Sequence, residues 1–380
     1  MIQNEIEKHV LEEITPPLEF RKKIQIAVNE IKEKIQDEIK KRNLQVSVEL
    51  VGSVAKDTFL KNNMDIDFFL LFSSNCKKEY IAKNAILIGR KILSDAEESY
   101  AEHPYIRGYF KDLKVEIVPC YKIEKASQKL SAVDRTPLHT EYIKENLKEE
   151  QKQEVRLFKQ FLRGIGVYGA EAEIEGFSGY LCELLIIKYG SFAKLIGNAQ
   201  YWKKGKKIAL SKRMHPNFKT PLIFIDPVDE NRNVASALSE KNFELFIKAC
   251  KEYSKEPGIT FFFQNKIKPL TIDNLLKKIK KQKCLYVGVE IDKPDIIAEN
   301  LYPQLRKAKR TIWKTCEKYG FTIYDVVFDI DDFNKNVIII IKSENKKLSK
   351  TVTHAGPPTE IKRNSEEFMN RWKKDPKLVR

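Results

Sequence analysis

The run Met64-Asp65-Ile66-Asp67-Phe68-Phe69-Leu70-Leu71-Phe72 is apolar apart from its two aspartates. Its length and residue types predict a strand, and the two-residue period of a strand puts both carboxylates on one face. Neighbouring carboxylates repel, and burying either one unpaired is unfavourable. A divalent cation relieves both problems, and Mg²⁺ is commonly held by a few carboxylates together with substrate phosphates. Upstream, residues 46–51 alternate well enough for a strand and run into Gly52-Ser53, after which a short helical stretch is expected. A glycine at such a turn permits close backbone approach to a phosphate, and a serine offers a hydroxyl and an N–H. Downstream, residues 113–120 read as a third strand, closed by Pro119 and carrying Glu116. With that strand adjacent, three carboxylates would suit two cations about 4 Å apart.

The same tripeptide recurs as Asp329-Ile330-Asp331. That pair abuts Asn334-Lys335-Asn336 with no Gly-Ser element before it, so its expected role is local turn chemistry. Gly164-Ile165-Gly166-Val167-Tyr168-Gly169 spells the glycine pattern of a dinucleotide-binding turn. Such a turn needs a preceding strand, and an amphipathic helix stands there instead; ending that helix is the expected role. No G-x-x-x-x-G-K-[ST] occurs. Asp226-Pro227-Val228-Asp229-Glu230, followed by Asn231, Arg232 and Asn233, reads as a loop in which Arg232 is the residue of interest.

A chain of 380 residues is expected to form more than one domain. Residues 5–42 read as helical around Pro16-Pro17, and residues 80–98 have helical periodicity. From 141 to 255 the pattern is mainly helical, clearest at 154–162 and 177–189, with a basic, turn-rich stretch at 201–219. Beyond Pro257-Gly258 come a strand at 285–291, a helix at 301–319 and a hairpin from 321–330 and 337–341. That β-α-β-β order predicts a small ferredoxin-like or RNA-recognition-like α+β unit. The last 30 or so residues are polar, contain Pro357-Pro358 and read as a frayed tail. The expected boundaries are 1–140, 141–256, 257–350 and a tail at 351–380.

Lysine and arginine total 69 against 53 acidic residues, a formal charge of +16. Such a surplus favours a polyanionic partner, nucleic acid first. No run approaches the roughly 20 apolar residues that cross a bilayer, so no membrane partner is expected. The N-terminus lacks the basic-then-apolar order of a signal peptide. Six scattered cysteines form no C-x-x-C pair, which argues for reduced thiols, a cytoplasmic location and no zinc cluster.

Several strings carry a resemblance: Gly52-Ser53-Val54-Ala55-Lys56 with Asp65-Ile66-Asp67, Val115-Glu116-Ile117-Val118-Pro119-Cys120-Tyr121, Ser131-Ala132-Val133-Asp134-Arg135-Thr136-Pro137, Gly176-Phe177-Ser178-Gly179-Tyr180-Leu181-Cys182-Glu183, and Asn231-Arg232-Asn233-Val234-Ala235. Together they closely resemble the archaeal-type (class I) CCA-adding tRNA nucleotidyltransferases, from about residue 10 to about 360. The resemblance implies an α+β chain: a polymerase-β-like nucleotidyltransferase head, a helical central domain, an α+β C-terminal domain and a tail. It implies template-independent addition and repair of the 3′-terminal CCA of tRNA from CTP and ATP, a two-Mg²⁺ site and a homodimer. By matched position it implies Asp65, Asp67 and Glu116 as the catalytic, metal-holding carboxylates. It likewise implies Gly52, Ser53 and Lys56 as the phosphate-contacting turn, Thr136, His139, Lys159 and Tyr168 as the lining of the nucleotide site, and Arg232 as the reader of the base edge.

Plainer readings stand beside these. Lys56 and Lys159 resemble ordinary surface lysines, Lys159 on a helix whose apolar face is Val155, Phe158 and Leu162; Tyr168 suits a core, and His139 a local hydrogen bond. Glu116 stands where relatives often have Asp, and the chain stops at Arg380, where relatives usually continue through a longer tail. The rival functions are another RNA nucleotidyltransferase on the same head, such as a poly(A) or oligoadenylate polymerase, and an inactive RNA-binding protein.

Overall fold

A computed structural model of the protein describes residues 5–62, 64–100, 104–210, 218–264, 269–344, 356–358 and 360–373. They belong to two compact units, 1–266 and 267–380.

The first unit opens with α1 (Glu5–Ile14) and α2 (Leu18–Lys41). Pro16-Pro17 separates them because a residue before proline is pushed out of the helical region. Next come β1 (Val46–Val51), α3 (Gly52–Ala55), β2 (Ile66–Phe72), α4 (Lys78–Ile92), β3 (Ser94–Tyr100), β4 (Pro104–Phe110) and β5 (Leu113–Tyr121). The strands form a five-stranded sheet in the order β1-β2-β5-β4-β3. β2 and β5 run parallel, and the other neighbours pair antiparallel. Ile66, Phe68, Leu70 and Phe72 pack with Val115 and Ile117 against Ile24, Ile31 and Ile35 of α2 and Ile81 and Ile88 of α4. Phe69, Leu71, Val118 and Cys120 face the other way, with Val51. Strand alternation puts Asp67 and Glu116 on that second face.

Two expectations need correction here. The helix expected over 80–98 ends at Ile92, and Ser94–Tyr100 is strand β3. Its sequence, SDAEESY, has no apolar alternation because it is an edge strand, held by pairing to β4 rather than by burial. The strand expected from Met64 begins at Ile66, leaving Asp65 just before it.

The chain continues with α5 (Thr136–Asn146), α6 (Gln151–Gly164), α7 (Gly179–Tyr189), α8 (Phe192–Ala199), β6 (Lys206–Ile208), β7 (Leu222–Phe224) and α9 (Glu240–Lys255). The expected turn-rich stretch at 201–219 contains β6, and its residues 211–217 lie outside the described residues. An aromatic core built on Phe158, Phe161, Phe177, Phe192 and Phe246 joins these helices, and Val10 and Ile14 of α1 pack into it. The helix-ending role expected of the glycine-rich segment is what the structure shows. Gly166 has φ +75°, and the N–H groups of Gly166 and Val167 donate to the carbonyls of Arg163 and Leu162.

The second unit contains α10 (Ile272–Gln282), β8 (Cys284–Asp292), α11 (Ala298–Lys318), β9 (Ile323–Asp331), β10 (Asn336–Glu344) and α12 (Lys362–Lys373). Its sheet order is β8-β10-β9, both pairings antiparallel. β8 and β9 therefore run parallel with β10 between them, a split β-α-β arrangement in keeping with the expected α+β unit. Leu301 and Leu305 of α11 pack on Val326, Val337 and Ile339. The frayed tail is corrected in part: 362–373 is helical, with an i,i+4 ion pair between Arg363 and Glu367.

Candidate active site

Parallel pairing of β2 with β5 sets Asp67 directly opposite Glu116. On its other side Asp67 pairs with Val51, the residue before Gly52. Gly52 has φ +73°, and a Cβ there would lie 2.0 Å from Oδ2 of Asp67. The glycine thus serves two local needs, a left-handed turn and room for the Asp67 carboxylate. Burial first, then the charges of Glu116 and Asp65, pushes the Asp67 carboxyl up to about 8. Burial raises Glu116 as well, with Lys114 opposing. Asp65 is turned onto Lys114, Oδ1 to Nζ 3.2 Å. Among the described residues no three carboxylate, imidazole or thiol groups already converge as metal ligands. The donor set still fits a hard divalent cation: Asp67 and Glu116 lie side by side on one sheet face with Asp65 at its end, and Lys114 and Lys56 offset only part of their repulsion.

The loop from Gly52 to Leu60 is fastened to the helices behind it. Asp57, at φ +51°, accepts from Nη1 of Arg21 (3.0 Å) and from Nη2 of the buried Arg156 (2.6 Å). Arg156 also donates to the carbonyls of Asp57 and Phe59. Next to that clamp lies a second buried set. Glu183 of α7 accepts from Lys56 Nζ (2.6 Å), Thr58 Oγ1 (2.6 Å) and Lys159 Nζ (3.4 Å). Lys159 also donates to the Thr58 carbonyl (3.0 Å). Burial pushes the Glu183 carboxyl up, but Lys56 and Lys159 outweigh it and hold the group below its ordinary value. Lys159 is only 2% exposed, so the solvated reading of this residue is wrong: Glu183 and Thr58 supply the partners that let an ammonium leave water.

A third set surrounds Asp226, which is fully buried. Its Oδ2 takes Nε2 of His139 (3.0 Å) and Nη1 of Arg232 (2.9 Å). Its Oδ1 takes the Tyr180 hydroxyl (3.1 Å) and the Val228 N–H (3.1 Å). His139 stacks on Tyr180 with ring centroids 4.1 Å apart. Three residues on, Asp229 accepts from Lys129 (2.8 Å) and Arg135 (2.9 Å). Asp134, also buried, takes the backbone N–H groups of Tyr121, Leu130 and Ser131 and the Ser131 hydroxyl. The Ser131–Pro137 string therefore folds as a carboxylate-pinned turn that delivers Arg135 to the loop bearing Arg232.

Comparison with known proteins follows the same division. Residues 32–139 match the nucleotidyltransferase domain, 153–263 the second domain of tRNA nucleotidyltransferase, and 283–379 the C-terminal domain of CCA-adding enzyme. Across 375 residues the chain is 36% identical to the CCA-adding enzyme of Methanosarcina barkeri, covering 98% of this chain and 82% of that protein. The chain belongs to the CCA-adding enzyme family. Family members from Archaeoglobus fulgidus and Methanocaldococcus jannaschii are each 37% identical, covering 88% and 97% of this chain and 76% and 84% of their own lengths. Solved structures of E. coli CdnC with ATP (16% identity, TM-score 0.53, 69% of this chain and 95% of that one) and of the Cid1 poly(U) polymerase (15%, 0.52, 69% and 99%) share the fold.

Within this CCA-adding family member, the residues singled out from sequence fall into three groups. Gly52, Asp65, Asp67 and Glu116 lie where β1, β2 and β5 adjoin, with Ser53 following Gly52 in α3. Lys56 and Lys159 share Glu183, and Tyr168 is at hand: a Cβ on Gly179 would meet the Tyr168 hydroxyl at 3.3 Å and the Lys159 Nζ at 3.8 Å. His139 and Arg232 share Asp226, and Thr136 opens α5 one turn before His139. Sequence reasoning missed Glu183, Asp226, Asp229 and Arg156 as organising residues. A signal existed for Glu183, a lone carboxylate inside the apolar run Leu181–Ile186 of α7, and for Asp226, an acid at the end of the apolar run Leu222–Ile225.

Proposed function

We propose that the chain completes the 3′ end of tRNA, adding C, C and A from CTP and ATP without a template, and that the face bearing Asp65, Asp67 and Glu116 is where the transfer occurs. The observation that carries the reading is the in-register pair Asp67–Glu116, with Gly52 seated against Asp67, in a member of the CCA-adding family. Asp65, Asp67 and Glu116 would hold two Mg²⁺, with Asp65 exchanging Lys114 for the ion. Bound Mg²⁺ supplies activation of the attacking hydroxyl and stabilisation of the departing pyrophosphate.

The tRNA 3′-oxygen forms a bond to the α-phosphorus as the bond to the α,β-bridging oxygen breaks and pyrophosphate leaves. The protein's share is positioning and charge. Ser53 meets the phosphates through its N–H and hydroxyl. Lys56 and Lys159 bring positive charge toward the triphosphate, Lys159 from a buried position in which Thr58 and Glu183 take its N–H groups. Because the two ammonium groups share the single carboxylate Glu183, the set keeps a positive surplus for an anionic ligand. Thr136, His139 and Tyr168 line the nucleotide, and Arg232 reads the base edge with its planar fork. The head at 1–140, central domain at 141–256 and C-terminal domain at 257–350 act together in a cytoplasmic homodimer, with the basic surplus following the RNA backbone.

The test is a single set of incubations. Labelled CTP and ATP, separately and together, are offered with Mg²⁺ to tRNA lacking its CCA end. Two C additions followed by one A are expected. Incorporation of ATP alone would replace this reading with an adenylate polymerase, and no extension at all would favour a binding protein.

A further inference from the structure

The surroundings of Asp226 point to a role that Arg232 alone does not fill. Arg232 sits in the loop from Asp226 to Asn233. That loop closes on itself: the Asp226 N–H donates to the Arg232 carbonyl, and the Arg232 N–H to the Asp229 carbonyl. Its two carboxylates fasten it outward, Asp226 to His139 on α5 and Tyr180 on α7, and Asp229 to Lys129 and Arg135. The Arg232 side chain remains 29% exposed, while the Asp226 carboxylate holding its Nη1 is wholly buried. One edge of the guanidinium is thus fixed inside the protein, and the rest of the fork can face a ligand.

Asp226 has no acceptor capacity to spare, since each of its oxygens already takes two donors. It is therefore unsuited to touching a base itself. Its ionisation also decides what its neighbours present. Burial pushes the Asp226 carboxyl up, but His139, the Val228 N–H and Arg232 prevail and keep it below its ordinary value. Burial keeps His139 below its own ordinary value despite Asp226. An ionised carboxylate only accepts, so a neutral His139 donates Nε2–H to it and keeps Nδ1 as an acceptor. Burial, then Asp226, keeps the Tyr180 phenol protonated as a donor. One buried carboxylate thus sets the angle of a guanidinium and the tautomer of an imidazole.

We propose that Asp226 is the positioning residue for nucleotide selection: by fixing Arg232 and His139 against α5 and α7, it makes the site discriminate cytosine and adenine from uracil and guanine. C and A share one Watson–Crick pattern, an amino donor beside a ring-nitrogen acceptor, and U and G present the reverse. A fork held at one angle donates to the ring nitrogen of C or A and meets the N–H of U or G; a fork free to turn can donate instead to the carbonyl oxygen of U or G. The inference rests on the proposed base-reading role of Arg232.

The experiment uses the full chain with Mg²⁺ and tRNA lacking CCA, or ending in CC. It measures kcat/KM for CTP against UTP on the first substrate and for ATP against GTP on the second. Asp226→Asn is expected to lower both ratios on the order of tenfold or more. Tyr180→Phe, which removes one donor from Asp226 and keeps the stack on His139, is expected to lower them by less. Arg232→Lys tests the underlying reading. If Arg232→Lys discriminates like the wild type, base reading by Arg232 fails. If it loses discrimination while a folded Asp226→Asn loses all four nucleotides equally, Asp226 is merely structural and the inference is overturned. If Asp226→Asn does not fold, Tyr180→Phe decides: reduced ratios support the inference, and unchanged ratios overturn it.

Discussion

Asp65-Ile66-Asp67 and Asp329-Ile330-Asp331 are the same three residues in opposite circumstances. The first opens β2 in the middle of a sheet, with β1 on one side and β5 on the other. The second closes β9 at a sheet edge and enters a turn. Asp331 accepts from the Asn334 backbone N–H (3.0 Å) and side chain (2.7 Å), bonds that hold its carboxyl below its ordinary value. Asp67 faces Glu116 and is pushed up to about 8. Identical residues become a satisfied turn in one place and, in the other, an acidic face whose repulsion Lys114 relieves only in part. The partner makes the difference: for Asp67 it is Glu116, 49 residues away on the neighbouring strand, and for Asp331 it is Asn334, 3 residues on in the turn.

The sharpest way to break this comparison is to neutralise one aspartate in each pair. Asp67→Asn is expected to reduce nucleotide incorporation on the order of 10³-fold or more, and Asp331→Asn to leave it unchanged. Single-turnover assays on tRNA lacking CCA measure both, and an equal loss in the two variants would remove the distinction. Gly52→Ala is expected next in size. Its methyl would displace the Asp67 carboxylate and strain the turn, and a misplacement near 1 Å costs about 10²-fold in rate. Wild-type kinetics in that variant would mean the Gly52–Asp67 contact is incidental.

The third prediction concerns stability in chelator, without cation. Asp67 binds its proton more tightly when folded, about 8 against an ordinary 3.8. The folded state therefore holds more protons than the unfolded state between those values, and this group's contribution to stability falls as pH rises through that window. Burial of Glu116 acts in the same direction. Thermal melts from pH 6 to 9 should show Asp67→Asn gaining on the wild type as pH rises, and Mg²⁺ should reduce the gap. A pH-independent difference between the two would show that Asp67 already has its compensating charge. Asp331, lowered rather than raised, should produce no such gain.

How far the sequence reveals this fold depends on how local each cause is. Pro16-Pro17, the alternation in β1, the apolar run of β2 and the β-α-β-β order of the second unit are written in neighbouring residues, and they were legible. β3 was not, because an edge strand of polar residues owes its existence to β4 rather than to its own pattern. The acidic face was legible in outline, since Asp65, Asp67 and Glu116 each sit in a strand-like run. The buried ion sets were not. Lys159 meets Glu183 24 positions away, and His139 meets Asp226 87 positions away. A lysine at the margin of an apolar helix face looks solvated until its partner is in view.

Helix α7 carries a consequence of its own. Tyr180 and Glu183 are three residues apart on it, on the same side and roughly 4.5 Å apart along its axis. The first holds the carboxylate beneath Arg232, and the second holds Lys56 and Lys159. Leu181, Cys182, Leu184, Leu185 and Ile186 are buried in the core, and Ser178 caps the first turn, so the helix has little freedom to slide or rotate. An enzyme that copies no template still needs a gauge for the length of what it accepts. If the proposed roles of Lys56, Lys159 and Arg232 hold, this one helix fixes the interval between them, and one inserted residue between Tyr180 and Glu183 would turn the two ends of that gauge about 100° out of line.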